Sequence, residues 1–268
     1  MSTALGVRQP ALFIPHGGGP WPWMREMRPM WRGLEAYLER LPETLPEPPR
    51  AILIVSGHWE APAFTVTVGE AHPGLLYDYY GFPPNTYQIQ WPAPGAPWLA
   101  ERTESLLSEA GLPTARETLR GFDHGVFVPL AVAWPEANVP VVQLSLHHSL
   151  DPALHLAAGR ALAPLRDEGV LVLGSGMSFH NLRAYGNPGV TAPAAEFDRW
   201  LVDAAAHGGG GRSDLLSHWQ QAPYAQLCHP RSEHLLPMMV AAGASEEPGT
   251  HDFGEEVLAA AVSGFRFA

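Results

Sequence analysis

The sequence of 268 residues predicts an α/β fold with a central twisted, largely parallel sheet and helices on both faces. Short apolar runs typical of buried strands alternate with longer stretches of helical periodicity, and no break in composition divides the chain. Strands that alternate with helices favour βαβ units, which build parallel sheets. Because α/β folds of about 200–250 residues commonly form one unit, residues 1–268 are expected to be a single domain.

The individual elements are predicted from apolar runs bounded by turn residues. Buried strands are predicted at Ala11–Pro15, Ala51–Ser56, Val139–Leu146 and Val170–Gly174, with a shorter strand at Val66–Val68. Helical periodicity predicts helices at Trp31–Leu41, Ala96–Ala110, Leu154–Glu168, Ala194–Ala206 and His234–Ala242. A proline-rich connector, Leu41–Pro49, is predicted before the second strand.

Two irregular segments raise a functional question. Pro83–Pro97 holds five prolines and is predicted to be a long loop, a feature that usually marks a functional element. His207–Gly211 contains four consecutive glycines, which suggests a phosphate-binding loop. No predicted strand precedes this run and no lysine follows it, so it is interpreted as a flexible linker that ends a helix.

Composition excludes several classes of partner and chemistry. The net charge of −11 argues against nucleic acid and anionic membranes as partners, because both require a basic face. All sixteen basic residues are arginine, which excludes a Schiff-base lysine and the lysine of a P-loop. There is no signal-peptide pattern and no apolar stretch near the ~18 residues of a membrane helix. With its one cysteine, Cys228, the chain is expected to be cytoplasmic.

Histidines follow the predicted strands at equivalent places. His16 comes directly after the first strand, His58 after the second and His180 after the fourth, each beside glycines that allow a sharp turn. Because ligands of open parallel sheets bind at the carboxyl ends of the strands, these residues are expected to converge. Two imidazoles and a third ligand form catalytic Zn²⁺ and non-haem Fe(II) sites. Glu233 and His234 are both candidates for the third ligand, and sequence spacing does not choose between them.

The other histidines divide into three groups. His124, between glycines and next to Asp123, is a candidate acid/base group or a loop residue that caps the following turn. His147 and His148 end the third strand, but adjacent residues alternate sides, and both are interpreted as lying outside the site. The remaining histidines are interpreted as surface residues: His72, His155, His207, His218, His229 and His251. Cys228, without triad partners in the sequence, is interpreted as a buried small residue.

A series of motifs in fixed order resembles the class III extradiol ring-cleavage dioxygenases of the LigB superfamily, and within it the DOPA 4,5-dioxygenase-like branch. The resemblance runs over nearly the whole chain. It is carried by Pro15–Gly17, Ser56–Glu60, Tyr77–Pro83, Gly121–Gly125, Pro129–Leu130, Val141–Ser145, Gly174–Gly176, His180–Arg183, Glu233–Pro237 and Gly264–Phe267. It implies a single catalytic domain over residues 1–268, in a family whose members often form homo-oligomers.

The resemblance implies a divalent metal, with Fe(II) for turnover and Zn(II) as an alternative occupant. His16, His58 and His234 match the family's metal-binding positions, while distant relatives with a glutamate third ligand keep Glu233 open. His180 matches the family's acid/base histidine, which is sometimes assigned to the metal in this branch. With these residues the family opens the ring of a small aromatic diol with O₂ to give a semialdehyde.

The resemblance also implies that His124 contacts the substrate hydroxyls. The loop Tyr77–Pro97 is a candidate cover for the substrate, because Tyr79, Tyr80, Phe82 and Trp91 could stack on an aromatic ring or simply pack the loop down. The sequence leaves two alternative functions open. One is a zinc-dependent hydrolase that uses the same histidines, and the other is a non-catalytic binding protein of the same fold.

Overall fold

A central sheet of eight strands organises the part of the chain that the computed structural model describes, residues 7–69 and 73–268. The strands are β1 (Ala11–Pro15), β2 (Ala51–Ala61), β3 (Phe64–Thr67), β4 (Thr114–Glu117), β5 (Val141–His147), β6 (Val170–Gly176), β7 (Gly249–Val257) and β8 (Ala260–Phe267). Their order across the sheet is β4-β3-β5-β2-β6-β1-β8-β7.

The centre of the sheet is parallel and its edges are mixed. Strands β5, β2, β6 and β1 pair in parallel, as predicted. On one side, β8 pairs antiparallel with β1 and forms an antiparallel hairpin with β7. On the other side β3 is antiparallel to β5, and β4 is parallel to β3. The predicted fold class is confirmed, but β4 and the terminal hairpin were not predicted.

Helices cover both faces of the sheet. They are α1 (Arg32–Arg40), α2 (Pro97–Glu109), α3 (His124–Ala133), α4 (Pro152–Leu162), α5 (Pro164–Asp167), α6 (Thr191–Ala206), α7 (Gly209–Ser217), α8 (Ala225–Cys228) and α9 (Leu236–Gly243). Helices α2, α4, α6 and α9 share one core with Phe13 and Val55, while α1 and α3 share the other with Leu12 and Ile54. Successive strand residues thus enter opposite cores, as the two-residue period of a strand requires.

Three predicted elements are corrected by the structure. The helix expected over Leu154–Glu168 is divided between α4 and α5, because Pro164 lacks the N–H that a continuous helix needs. The segment after Asp123, predicted to be a loop, forms α3. The glycine run does follow the end of α6, but Gly209 already begins α7.

The side chain of Arg212 explains why the glycine run is ordered. This buried arginine donates hydrogen bonds to the carbonyl oxygens of His207, Glu247 and Ala242 at 3.1, 2.6 and 2.9 Å, and also to that of Ser245. The first turn of α7 is therefore fixed to the chain beyond α9. Among the described residues, no helix combines the length and apolarity that a membrane crossing requires.

Candidate metal centre

Within the described residues, five histidines lie together at the carboxyl ends of the central strands: His16, His58, His124, His180 and His234. His16 directly follows β1, His58 lies in β2, and His180 comes after β6. His124 is the first residue of α3, and His234 lies in the turn before α9. The structure thus brings together all the histidines that the sequence assigned to the site.

A bulge in β2 determines the direction of His58. In the ladder between β2 and β5, Val55 pairs with Leu144 and Glu60 pairs with Leu146. Residues 56–59 of β2 therefore lie opposite a single residue of β5. A bulge of this kind bends a strand and changes the direction of a side chain, which is why bulges recur next to active sites.

The buried carboxylate of Asp123 fixes this bulge to the start of α3. It accepts hydrogen bonds from the Ser56 hydroxyl at 2.7 Å, from Gln143 at 2.5 Å and from Arg120 at 3.0 Å. The Ser56 hydroxyl accepts the backbone N–H of His58 at 3.1 Å, and Arg120 donates to the His58 carbonyl oxygen at 3.2 Å. Because Asp123 directly precedes α3, the network sets the position of His58 relative to that helix.

Glycines in β6 let the turn that carries His234 pack directly on the sheet. A Cβ atom on Gly176 would overlap the His234 carbonyl oxygen. The same carbonyl accepts a hydrogen bond from the N–H of Met177 at 3.0 Å. The N–H of His16 donates to the Gly176 carbonyl at 3.1 Å. The backbone at the end of β6 therefore holds both His16 and His234.

The Nε2 atom of His58 lies close to the Nε2 atoms of two other histidines. Those of His16 and His58 are 3.3 Å apart, and those of His58 and His234 are 3.1 Å apart. Two nitrogens bound to one metal ion at about 2.1 Å stand about 3.0–3.4 Å apart, depending on the angle between them. Each of these two spacings therefore fits a pair of imidazoles bound to one metal ion, and His58 is common to both pairs.

The other ring nitrogens of these histidines face hydrogen-bond acceptors. Nδ1 of His16 donates to the Gly17 carbonyl at 2.8 Å, and Nδ1 of His234 donates to a Glu233 carboxylate oxygen at 2.9 Å. Nδ1 of His58 lies 3.5 Å from a carboxylate oxygen of Asp78. A proton on each Nδ1 leaves the lone pair on Nε2, as in histidines that bind metals.

Burial keeps the three imidazoles neutral. It lowers the pKa values of His16, His58 and His234 well below the usual value, and the neighbouring histidines lower them further. A metal ion binds only the neutral form of imidazole. At neutral pH the cluster is therefore ready to bind an ion without first losing protons.

Two carboxylates each contact the Nδ1 atoms of a pair of histidines. Asp78 accepts Nδ1–H and the backbone N–H of His124 at 2.8 and 2.9 Å, and also faces His58. Glu233 accepts from His234 and lies 3.4 Å from Nδ1 of His180. Burial is the largest single influence and acts to raise the pKa of each carboxyl. The hydrogen bond and charge of His124 at Asp78, and those of His180 with the charge of Arg231 at Glu233, act together with backbone hydrogen bonds to lower both pKa values.

Glu233 and His234, the two candidates for the third metal ligand, are oriented differently. Glu233 contacts the Nδ1 atoms of two histidines, whereas His234 directs Nε2 toward His58. Donor atoms of His16, His58 and His124 also lie within 4.8 Å of one another, as do those of His180, Glu233 and His234. The short Nε2 contact between His58 and His234 joins the two groups. Asp78 was not predicted to contribute, because its partner in α3 is distant in sequence.

A cavity of about 400 Å³ opens onto the histidine cluster. Its walls include Tyr79 and Phe82 of the predicted cover loop. The other two aromatic residues of that prediction do not line it. Tyr80 is 91% exposed, and Trp91 is buried, where its indole N–H donates to the Trp134 carbonyl oxygen at 2.9 Å. The segment between β1 and α1, which apart from His16 was not predicted to take part, supplies Gly17, Gly18, Gly19, Met27, Met30 and Trp31 to the lining.

A comparison with protein families accounts for this arrangement. The family model described as the catalytic LigB subunit of aromatic ring-opening dioxygenase matches residues 11–265. The chain belongs to the LigB family. This LigB-family chain is therefore an oxidoreductase of the class that opens aromatic rings. The matched range includes all five clustered histidines.

Individual relatives cover most of the LigB-family chain. It is 40% identical over 240 residues to the 4,5-DOPA dioxygenase extradiol of Beta vulgaris, which covers 88% of this chain and 86% of the relative. It is 43% identical over 206 residues to the enzyme of the same name from Portulaca grandiflora, covering 75% of each. A crystal structure of an uncharacterized protein from Escherichia coli K12 matches with a TM-score of 0.78 and 31% identity, over 97% of this chain and 100% of that one.

Among the histidines interpreted as surface residues, two are buried. His155 accepts the backbone N–H of His147 at 3.1 Å and donates to the Asp151 carbonyl oxygen, while His229 donates to the Ser178 carbonyl oxygen at 2.8 Å. Their surface assignment was wrong, because nothing in the local sequence shows these backbone partners.

The other described histidines and Cys228 lie outside the cluster. His207, His218 and His251 are exposed, as predicted, and His72 lies outside the described residues. The pair that ends β5, His147 and His148, is not part of the cluster. Cys228 is buried, and burial raises its pKa to about 12, which leaves the thiol protonated.

Proposed function

We propose that this chain is a non-haem, metal-dependent extradiol dioxygenase that opens the ring of a catechol with O₂. The observation that carries the proposal is the close approach of His58 Nε2 to the Nε2 atoms of both His16 and His234 beneath a largely apolar cavity. In the reaction, the ring bond beside the diol breaks and both oxygen atoms of O₂ enter the semialdehyde product. No external reductant is needed, because the catechol itself supplies the electrons.

In this proposal His16, His58 and His234 hold the metal ion. An Fe(II) ion bound there would lower the pKa of the catechol hydroxyls and allow electrons to pass from the diol to O₂. The ligands are neutral imidazoles, so the positive charge of the site remains available to a catecholate. Glu233 and Asp78 orient His234 and His58 through their Nδ1 atoms, a role that outer carboxylates have in many metal sites.

His180 is proposed to accept the proton of a catechol hydroxyl. Its Nδ1 faces Glu233 at 3.4 Å, so Nε2 is the atom left to take the proton. The carboxylate then stabilises the imidazolium that forms, as in other acid/base histidines oriented by a carboxylate. His124, oriented by Asp78, is proposed to hydrogen-bond the substrate oxygens. The apolar walls exclude water from the reacting ring.

The test is reconstitution with Fe(II) under anaerobic conditions, followed by addition of oxygen and a panel of catechols that includes DOPA and protocatechuate. We expect oxygen uptake coupled to the visible absorbance of a ring-opened semialdehyde, and its loss in His16→Ala and His180→Ala. His148→Ala, an exposed histidine outside the cluster, is the matched control. A protein with iron bound that consumes no oxygen across the panel would contradict the proposal.

The metal is tested in the same experiment. Zn²⁺ binds nitrogen sites more tightly than Fe²⁺, so each sample is analysed for both metals before assay. Only the iron-loaded protein is expected to turn over, because Zn²⁺ has no redox chemistry. Equal oxygen uptake by protein loaded with zinc alone would contradict the assignment of Fe(II).

A further inference from the structure

The cavity above the histidines has one polar end and otherwise apolar walls. Beyond the histidine cluster its lining includes Met27, Met30, Trp31, Met177 and Leu182. None of the lining residues in the described chain is an arginine, aspartate or glutamate. The volume of about 400 Å³ lies in the range of about 300–1,000 Å³ for pockets that hold drug-sized ligands. A bare catechol would therefore leave much of the cavity unfilled.

The tyrosines of the walls do not add polar groups to the cavity. The Tyr79 hydroxyl donates to the Thr86 carbonyl oxygen, and the Tyr185 hydroxyl donates to that of Phe179 at 2.9 Å. Both hydroxyls are thus committed to the backbone. What these residues offer to a ligand is the aromatic ring.

The two arginines of the recess next to the cavity do not line the cavity itself. Arg231 forms two hydrogen bonds of 2.6 Å with the carboxylate of Glu60 and lies 3.3 Å from Glu233. Arg183 is exposed, and with Arg231 it lines a neighbouring surface recess that shares His180 and Leu182 with the cavity. A carboxylate inside the cavity would meet neither guanidinium.

The cavity mouth carries an apolar residue in a strained conformation. Leu258, in the turn between β7 and β8, has a φ of +50°, and its side chain lines the cavity. The left-handed region is unfavourable for a residue with a Cβ atom, and glycine or asparagine normally occupies such a turn. The apolar lining thus extends to the cavity mouth.

From these observations we infer that the substrate is a catechol with an uncharged, apolar substituent. The inference rests on the proposed function. The diol oxygens would face the histidines, and the substituent would extend along the methionines, Trp31 and Leu258. An ammonium or carboxylate on the substituent would lose its water without gaining a partner of opposite charge, which disfavours its binding.

The test compares substrates of the same shape that differ in charge. Dopamine is paired with 4-propylcatechol, and 3-(3,4-dihydroxyphenyl)propionate is paired with 4-(3-methylbutyl)catechol. We expect kcat/KM of the iron-loaded protein to be at least tenfold higher for the neutral member of each pair. A ratio near or below one in either pair would overturn the inference. If the anion is preferred and Arg183→Gln removes the preference, the substrate carboxylate lies in the outer recess instead.

Equilibrium binding of the same four compounds separates this inference from the proposed function. Tighter binding of the neutral members without any oxygen uptake would overturn the dioxygenase and retain the apolar ligand class. Oxygen uptake with equal or tighter binding of the charged members would retain the dioxygenase and overturn the ligand class.

A variant can reverse the preference. Met27→Arg places a cation in the cavity wall, and we expect it to shift the propionate-to-alkyl ratio of kcat/KM by at least tenfold toward the propionate. Met24→Arg, in the same segment but outside the lining, is the matched control and should leave the ratio unchanged. A folded Met27→Arg protein with the wild-type ratio would show that this wall does not contact the substituent.

Discussion

The imidazole rings of His180 and His234 stack with their centroids 3.3 Å apart and their planes inclined by 16°. Both rings direct Nδ1 toward the same carboxylate, that of Glu233. A proposed metal ligand and the proposed proton acceptor therefore share one outer partner. Asp78 contacts the Nδ1 atoms of His58 and His124 in the same way. The site therefore consists of two histidine pairs, each with a shared carboxylate, and His16 lies beside them.

The first prediction concerns the outer carboxylates. Glu233→Gln removes the negative charge that orients His234, and we expect it to weaken Fe(II) and Zn(II) binding about 10–100-fold. Metal affinity is measured by competition with a chelator of known affinity. Asp214→Asn, at an exposed carboxylate that does not line the cavity, is the control. Unchanged affinity in Glu233→Gln would mean that this carboxylate does not support the metal ligands.

The second prediction separates ligands from acid/base groups. His16→Ala, His58→Ala and His234→Ala are expected to abolish stoichiometric metal binding. His180→Ala should retain the metal while kcat falls about 10²–10⁴-fold, the usual contribution of general acid–base catalysis. Elemental analysis after dialysis and steady-state oxygen uptake supply the two readouts. Loss of the metal from His180→Ala would instead make His180 a ligand.

The third prediction uses the strained turn between β7 and β8. Leu258 and Ala259 both have positive φ values, +50° and +68°. Replacing either with glycine should relieve strain and raise the free energy of unfolding by about 0.5–1 kcal/mol. Only Leu258→Gly should lower kcat/KM for an alkylcatechol, because Ala259 does not line the cavity. Urea denaturation and oxygen uptake distinguish the two effects, and equal kinetic losses in both variants would contradict the contact between Leu258 and substrate.

The fourth prediction concerns acid stability. Burial lowers the pKa of His155 to about 4, so the unfolded chain binds a proton between about pH 6.5 and 4 that the folded chain does not. The free energy of unfolding therefore falls as the pH drops through this range. For His155 alone the loss between pH 7.5 and pH 5 is about 2 kcal/mol.

The measurement is urea denaturation at pH 7.5 and pH 5. His155→Gln cannot titrate and retains an acceptor for the backbone N–H of His147, so we expect its pH dependence to be smaller by about 2 kcal/mol. His148→Gln, at an exposed position, should behave like the wild type. An identical pH dependence in His155→Gln would show that this histidine is not the source of the effect.

The sequence predicted the centre of the fold better than its edges. The central strands are mostly apolar because both faces of the sheet are covered. Strand β4 has the sequence Thr-Ala-Arg-Glu and is largely exposed, and β7 contains Glu255 and Glu256, so neither has an apolar pattern. Glu255 also accepts the backbone N–H groups of Gly33 and Leu34 near the start of α1, a contact 222 and 221 residues away in sequence.

The same limit applies to the site. Strand ends and the resemblance to a known family identified the five histidines, because each stands in a local motif. Asp78 was not identified, since its role depends on a contact with His124 across 46 residues. The burial of His155 and His229 likewise depends on tertiary packing. Sequence reasoning located the five histidines and named Glu233 as a candidate ligand, but it did not identify either carboxylate as a partner that orients them.

The bulge at residues 56–59 interrupts the pairing of β2 with β5 and at the same time positions a histidine of the site. Residues 56–59 lie opposite a single residue of β5, so a regular ladder would require three of these four residues to be removed. A protein engineer who regularised β2 in this way would restore its pairing with β5 and lose the segment that directs His58 toward its partners. The irregular strand is therefore a place where selection for a more stable sheet and selection for a working enzyme would favour different chains.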